Sequence, residues 1–251
     1  MTNRHDRLAN APIVEAVVDI DCDLPASPDI SALEARAREA YTPQYPKARA
    51  QLVQGFQIEQ PLAAEPHVSA RRGVEAYAFF AEDEKQVVQV RTRGFSFNRL
   101  APYTTLDDYL PEIERTWRLF VAFSSPAEVR LIRLRYINRI RLPLVENQVD
   151  LSQYIGFGPH YPDQDRLTLL GFLNQYAAID KDTEDRLNVT MTTQPMEDGV
   201  LPVVFDINAF REEPVEPDNW DSLVARIQSL RLLKNRTFQN TLTQQCLDLF
   251  R

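Results

Sequence analysis

Four arginines spaced along one extended stretch are the residues of this chain best placed to do chemistry. The stretch is Glu128 to Leu144, EVRLIRLRYINRIRLPL, and the arginines are Arg133, Arg135, Arg139 and Arg141. It alternates with period two, so it reads as a β-strand with the arginines on one face. Its other face carries Ile132, Leu134, Tyr136, Asn138, Ile140 and Leu142. Guanidinium forks grip phosphate and carboxylate bidentately, which a lysine ammonium does not, and the stretch contains no lysine. Same-face neighbours on a strand lie roughly 7 Å apart, where two like charges repel by about 0.6 kcal/mol in water and about 2.4 kcal/mol at an effective dielectric near 20. An exposed arginine row is therefore cheap, and a covered one requires anions beside it.

A second stretch adds to the row. Gln86 to Leu100, QVVQVRTRGFSFNRL, reads as one strand with Arg91, Arg93, Phe95, Phe97 and Arg99 on one face, unless Gly94 marks a bulge, in which case the phase changes there. On that reading Phe95 and Phe97 would be available to stack a base of a nucleotide or single strand. The expected ligand site is thus Arg133, Arg135, Arg139 and Arg141, joined by Arg91, Arg93, Arg99, Phe95 and Phe97.

The counterpart is acidic. Ile13 to Leu24, IVEAVVDIDCDL, alternates Val14, Ala16, Val18, Ile20 and Cys22 against Glu15, Val17, Asp19, Asp21 and Asp23. If the two strands pair, these acids become cross-strand partners of the arginines. The functional alternative has surplus arginines holding phosphates while the acids orient them or hold a divalent metal. That arrangement is similar in kind to triphosphate tunnel enzymes, although the lysine of their ExExK motif is missing.

Composition bounds the possibilities. A formal charge of −8 and a pI near 5.0 argue against general nucleic-acid binding, which needs a basic surface. The two cysteines, Cys22 and Cys246, give neither a disulfide framework nor zinc spacing. No signal core or membrane-length apolar run is present, so a soluble, cytoplasmic protein is expected. P-loop, GxGxxG, HExxH and GxSxG signatures are absent, and His5, His67 and His160 are scattered. No catalytic residue, metal or cofactor is therefore assigned. The Asp180–Asp185 run lacks the glycine and distant glutamate of a calcium loop and reads as a hairpin turn.

The elements that must position these residues follow a repeating order. Ser27-Pro28 starts a helix carrying Ile30, Leu33, Ala37 and Tyr41. Strands are expected over Gln51–Gln60, Pro66–Arg72 and Glu75–Ala81, before the Gln86–Leu100 strand. Thr105 and Asp108 cap a helix with Leu106, Ile113, Trp117 and Phe120 on its apolar stripe, and Pro111 either kinks it or starts it. After the arginine strand come a short helix at Leu151–Tyr154 and strands at Leu167–Ile179, Arg186–Gln194 and Val200–Phe210. Pro214 and Pro217 break the chain. A helix capped by Asp218 with Asp221 and a second helical stretch, Phe238–Phe250, close it.

The order strand, helix, three or four strands, helix thus occurs twice, with no linker. Aligning Leu24-Pro25 with Leu142-Pro143 sets Glu15 against Arg133, Asp21 against Arg139 and Asp23 against Arg141. An α+β fold is expected, with half-repeats 1–124 and 125–251 forming one curved antiparallel sheet and helices on one side. In element order it resembles the saddle of the TATA-box-binding protein, with the two opening strands meeting at the centre.

Three segments carry a family resemblance. They are Pro12-Ile13-Val14-Glu15-Ala16, Gly94-Phe95-Ser96-Phe97-Asn98-Arg99-Leu100, and Arg135-Tyr136-Ile137-Asn138-Arg139-Ile140 with Leu142-Pro143. Together they resemble an uncharacterised, sporadically distributed bacterial family. The resemblance implies an accessory protein of mobile or defence-type gene neighbourhoods and brings no activity or catalytic residue. The expectation is a non-enzymatic binding module whose arginine face takes a phosphate-bearing ligand or a protein partner. The alternatives are a metal-dependent phosphoryl-processing enzyme using Glu15–Asp23, or a neutraliser of a toxin or effector. Nucleic acid is an admissible partner only locally, and a membrane is not expected.

Overall fold

A computed structural model describes residues 8–25, 30–59, 67–146, 148–156, 166–167 and 170–251, by backbone alone at 31 and 53–73. The chain runs β1 (Ile13–Asp23), α1 (Ile30–Tyr41), β2 (Lys47–Glu59), β3 (His67–Phe80), β4 (Gln86–Arg91), β5 (Gly94–Leu100) and α2 (Leu106–Ser124). It continues β6 (Glu128–Pro143), β7 (Leu173–Ile179), β8 (Arg186–Thr193), β9 (Val200–Val215), α3 (Trp220–Thr241) and α4 (Gln244–Asp248), with one 3-10 turn at Leu151–Gln153. The described strands form one antiparallel sheet in the order β2-β3-β4-β5-β1-β6-β9-β8-β7. The fold is α+β. The two strands with the strongest alternation, β1 and β6, lie side by side at its centre.

Period-two patterning decides which face is covered. Val18 pairs with Leu134 and Ile20 with Ile132, and all four are buried. On β5 these rows continue into Phe97 and Phe95, and on β9 Ala209 faces Leu134 while Ile207 faces Tyr136 on the same side. The helices pack on this side. Tyr41 of α1 meets Phe79, Trp117 and Phe120 of α2 meet Phe95, and Phe238 of α3 stacks on Phe205. Trp117 also donates from Nε1 to the carbonyl of Pro217 at 3.0 Å, fastening α2 to the turn before α3. Each buried aromatic contributes on the order of 2–3 kcal/mol of hydrophobic free energy, so this layer is what holds helices to sheet.

Several expectations need correction. The stretch 86–100 is not one strand. It turns at Thr92-Arg93 and becomes the hairpin β4–β5, which reverses the facing of everything after the turn. Gly94 sits at that turn with φ +140°, and a Cβ there would lie 2.2 Å from the Ile20 carbonyl oxygen, so only glycine fits. The segments expected separately at 66–72 and 75–81 belong to the single strand β3, whose pairing with β2 shifts register between Gln51 and Leu52. β9 runs through Pro214. The proline is tolerated because it falls where the β6–β9 register shifts, between Val129 and Leu131, and no ladder N–H is needed. A register shift between β1 and β6, at Asp21–Cys22, sets Val129 beside Cys22 on the buried side.

At the C-terminus, α3 is a single helix of 22 residues, with neither glycine nor proline inside it to stop it at Leu230. Its N-cap is Asn219, which accepts from the Ser222 N–H at 3.1 Å, rather than Asp218. The expected capping box on α2 is present. Thr105 accepts from the Asp108 N–H while Asp108 accepts from the Thr105 N–H, and the helix passes through Pro111. The N-terminal side of the sheet contributes five strands and the other side four. Between β6 and β7 the described residues hold only the 3-10 turn where α1 would have a counterpart.

Candidate functional site

The face of the sheet turned away from the helices is a ladder of charged side chains. β1 sends Glu15, Asp19 and Asp21 to it, β6 sends Arg133, Arg135, Arg139 and Arg141, and β4 sends Arg91. Asp19 lies directly across the ladder from Arg133, and their side chains meet at 3.4 Å. Arg91 reaches Asp21 at 2.6 Å and Asp19 at 3.6 Å. Asp19 also accepts from the Ser96 hydroxyl. Glu15 finds Asn98 Nδ2 at 2.6 Å instead of an arginine, and Asn98 in turn accepts from Gln89 at 3.2 Å.

Further along β6 the partners come from the other side. Arg135 grips Asp206 of β9 bidentately, Nε to Oδ1 at 2.9 Å and a terminal nitrogen to Oδ2 at 2.6 Å. That carboxylate holds the guanidinium pKa above its ordinary value. Arg139 and Arg141 both turn to Glu197, on the β8–β9 connection, each at 2.8 Å, and Arg139 donates from Nε to Gln194 at 2.8 Å.

Burial grades along this ladder. Asp19, Asp21 and Arg91 keep 15–18% of their side-chain surface, whereas Arg135 keeps 43% and Arg141 49%. At the first end the ion pairs are desolvated, and removing one partner would strand a charge. At the second end they are solvated and individually worth about 0–1 kcal/mol. The first end is structural. The second is accessible to a ligand.

The remaining expected site residues lie elsewhere. Phe95 and Phe97 are buried under α2 on the opposite side of the sheet, because the Thr92-Arg93 turn reverses the phase, so they are not placed to stack a base on the arginine side. Arg99 follows them to the helix side, where its guanidinium lies 5.1 Å from the Tyr109 ring centre and donates to the Pro102 carbonyl. Arg93 is exposed in the β4–β5 turn. Asp23 pairs with the exposed Arg130, which holds its carboxyl below the usual range.

Among the described residues, no three His, Cys, Asp or Glu side chains converge as a metal site. Burial pushes the thiols of Cys22 and Cys246 up to about 12, which removes them as nucleophiles. His5 and His160 lie outside the described residues.

On the helix side a cavity of about 570 Å³ opens between the start of α2, β6 and α3. Lys234 of α3 projects at its wall, with its ammonium 3.9 Å from the Tyr136 ring centre. Tyr136 and Tyr103 share a hydrogen bond of 2.7 Å beside it. No sequence motif marks this lysine. The one available signal is its spacing from Ile227 and Leu230, which puts a cation on the core-facing apolar stripe of the helix.

No protein-family model and no curated protein matches the chain. Among the described residues no helix is long and apolar enough to cross a membrane.

Proposed function

We propose that this protein is a non-enzymatic binding module that takes a phosphate-bearing ligand at the Arg139–Arg141 end of its helix-free sheet face. The observation that carries the reading is the sharing of one carboxylate, Glu197, by two guanidiniums, each at 2.8 Å. At the other end Glu15, Asp19 and Asp21 share the face with Arg91 and Arg133, and Asp206 holds Arg135. Here two cations face one anion, with Arg139 keeping 32% and Arg141 49% of their side-chain surface, and each fork keeps donors to spare. A phosphate would supply the missing charge and displace or join Glu197.

The acids of β1 support binding over metal-dependent phosphoryl transfer. Asp19 and Asp21 are engaged by Arg91, Arg133 and Ser96, and Glu15 by Asn98, so they are poorly free to ligate a cation. The same reading takes residues 1–124 and 125–251 as half-repeats of one unit, on the strength of β1 and β6 meeting at the centre. The resemblance to a sporadically distributed bacterial family adds an accessory role, and two unpaired buried cysteines suit a cytoplasmic one.

Titrating labelled ATP and a short single-stranded oligonucleotide at about 50 and about 200 mM salt tests the reading. Binding should appear at the lower salt, weaken at the higher, and vanish in Arg139→Ala/Arg141→Ala. Glu197→Gln should tighten it by removing the internal competitor. No binding at low salt, or binding indifferent to the double substitution, would overturn the reading and leave a protein partner on this face as the better account.

A further inference from the structure

The cavity on the opposite side of the sheet has its own chemistry, independent of the arginine ladder. Its charged lining residues, among those described, are Arg231, Lys234 and Arg251, all cationic. Two of them are already matched. Arg231 pairs with Asp107 and Arg251 with Asp248, each at 2.8 Å or less. Lys234 has no carboxylate or hydrogen-bond acceptor among the described residues, only the face of Tyr136. Among the described residues, Lys234 is therefore the lining cation with no anionic partner.

The remaining walls are mixed: Leu8, Ile13, Leu106, Phe238 and Leu247 form an apolar part, and Thr105, Asn138 and Asn235 are among the polar residues beside it. A partly buried cation without an anion beside it is costly, and a site of this volume is within the range of small-molecule pockets. We propose that this cavity binds a small apolar carboxylic acid, with Lys234 supplying the counter-charge and the leucine and isoleucine walls receiving its hydrocarbon. A monoanion fits better than a phosphate dianion because, among the described residues, one lining cation lacks an anionic partner.

The electrostatics give the proposal a signature. Although Lys234 as a whole keeps partial exposure, it is densely surrounded, and burial, followed by the neighbouring Arg231, pushes its pKa down to about 7. The charged and titratable groups around it are Arg231 on its own helix, Tyr136 on β6, Tyr103 before α2, Asp107 on α2 through Arg231, and Arg251 at the C-terminus. Burial holds both tyrosines above their ordinary range, so near neutral pH Lys234 is the group that changes charge. A bound carboxylate would raise its pKa, so acid binding must take up a proton. For a free pKa near 7, affinity should then fall about thirtyfold between about pH 6 and about pH 8.5.

Calorimetric titration of the full chain with octanoate, and with octan-1-ol as the uncharged control, tests this. Octanoate should bind with proton uptake and with that pH dependence, octan-1-ol at least tenfold more weakly, and Lys234→Met should lose octanoate while keeping octan-1-ol. The wild-type pH profile decides the matter even if the variant does not fold. The proposal is overturned by no octanoate binding, by an affinity flat with pH, by octan-1-ol binding as tightly as the acid, or by a folded Lys234→Met that still binds octanoate.

Discussion

Asp19 and Arg133 stand directly opposite each other on the two central strands, and the ion pair between them at 3.4 Å spans the junction of the sheet's two sides. Asp19 also lies 3.6 Å from Arg91 and accepts from Ser96. Asp19 therefore bridges two guanidiniums where little water reaches, and Asp21 supplies the second negative charge at 2.6 Å from Arg91.

Asp19→Ala should destabilise the protein by about 3 kcal/mol, since it strands positive charge at the buried end of the ladder. Asp19→Asn should cost less because the Ser96 hydrogen bond survives. Chemical denaturation of both variants checks the order. Equal stability of wild type and Asp19→Ala would mean that this end is as solvated as the Arg141 end.

Gly94→Ala should cost more than about 2 kcal/mol, because its Cβ would press on the Ile20 carbonyl at a backbone angle that L-residues rarely adopt. A denaturation midpoint equal to wild type would show that the β4–β5 turn relaxes at no cost.

Trp117→Phe keeps much of the stacking on Phe120 but leaves the Pro217 carbonyl without its indole donor. The expected loss is about 1–3 kcal/mol, the cost of a buried polar group left unpaired. Amide exchange should also rise in the first turn of α3. Unchanged exchange there would confine the role of Trp117 to packing.

Lys234 makes stability depend on pH with a definite sign. Its folded pKa of about 7 lies below the ordinary lysine value of about 10.4, so between these limits the unfolded chain holds the extra proton. Stability relative to Lys234→Met should therefore rise with pH across that window, by at most about 1.4 kcal/mol per unit, and level off below pH 7. Denaturation of both proteins at several pH values measures the difference. A difference that stays constant from pH 7 to 10 would show that the ammonium is solvated in the folded state.

Much of the scaffold was legible in the residues. The alternation of β1 and β6, the Thr105–Asp108 cap, the apolar stripe of α2 and the side on which the helices pack are local patterns. Each needs only its neighbours in the chain to be read. Gly94 signals that the phase of Phe95 and Phe97 could change, but the two-residue turn at Thr92-Arg93 that changes it looks in sequence like continued alternation, and one such reversal exchanges the faces of every later residue. The α3 helix was read short because its polar residues at Arg231 and Lys234 interrupt the apolar stripe, and only the cavity beside β6 explains them. The partners of the arginines were hidden for a more general reason. Asp19 with Arg133, Arg135 with Asp206, and Arg139 with Glu197 are joined by strand register across long loops. Alternation says which face a side chain takes, and only the folded pairing of β1, β6 and β9 decides which charge it meets there.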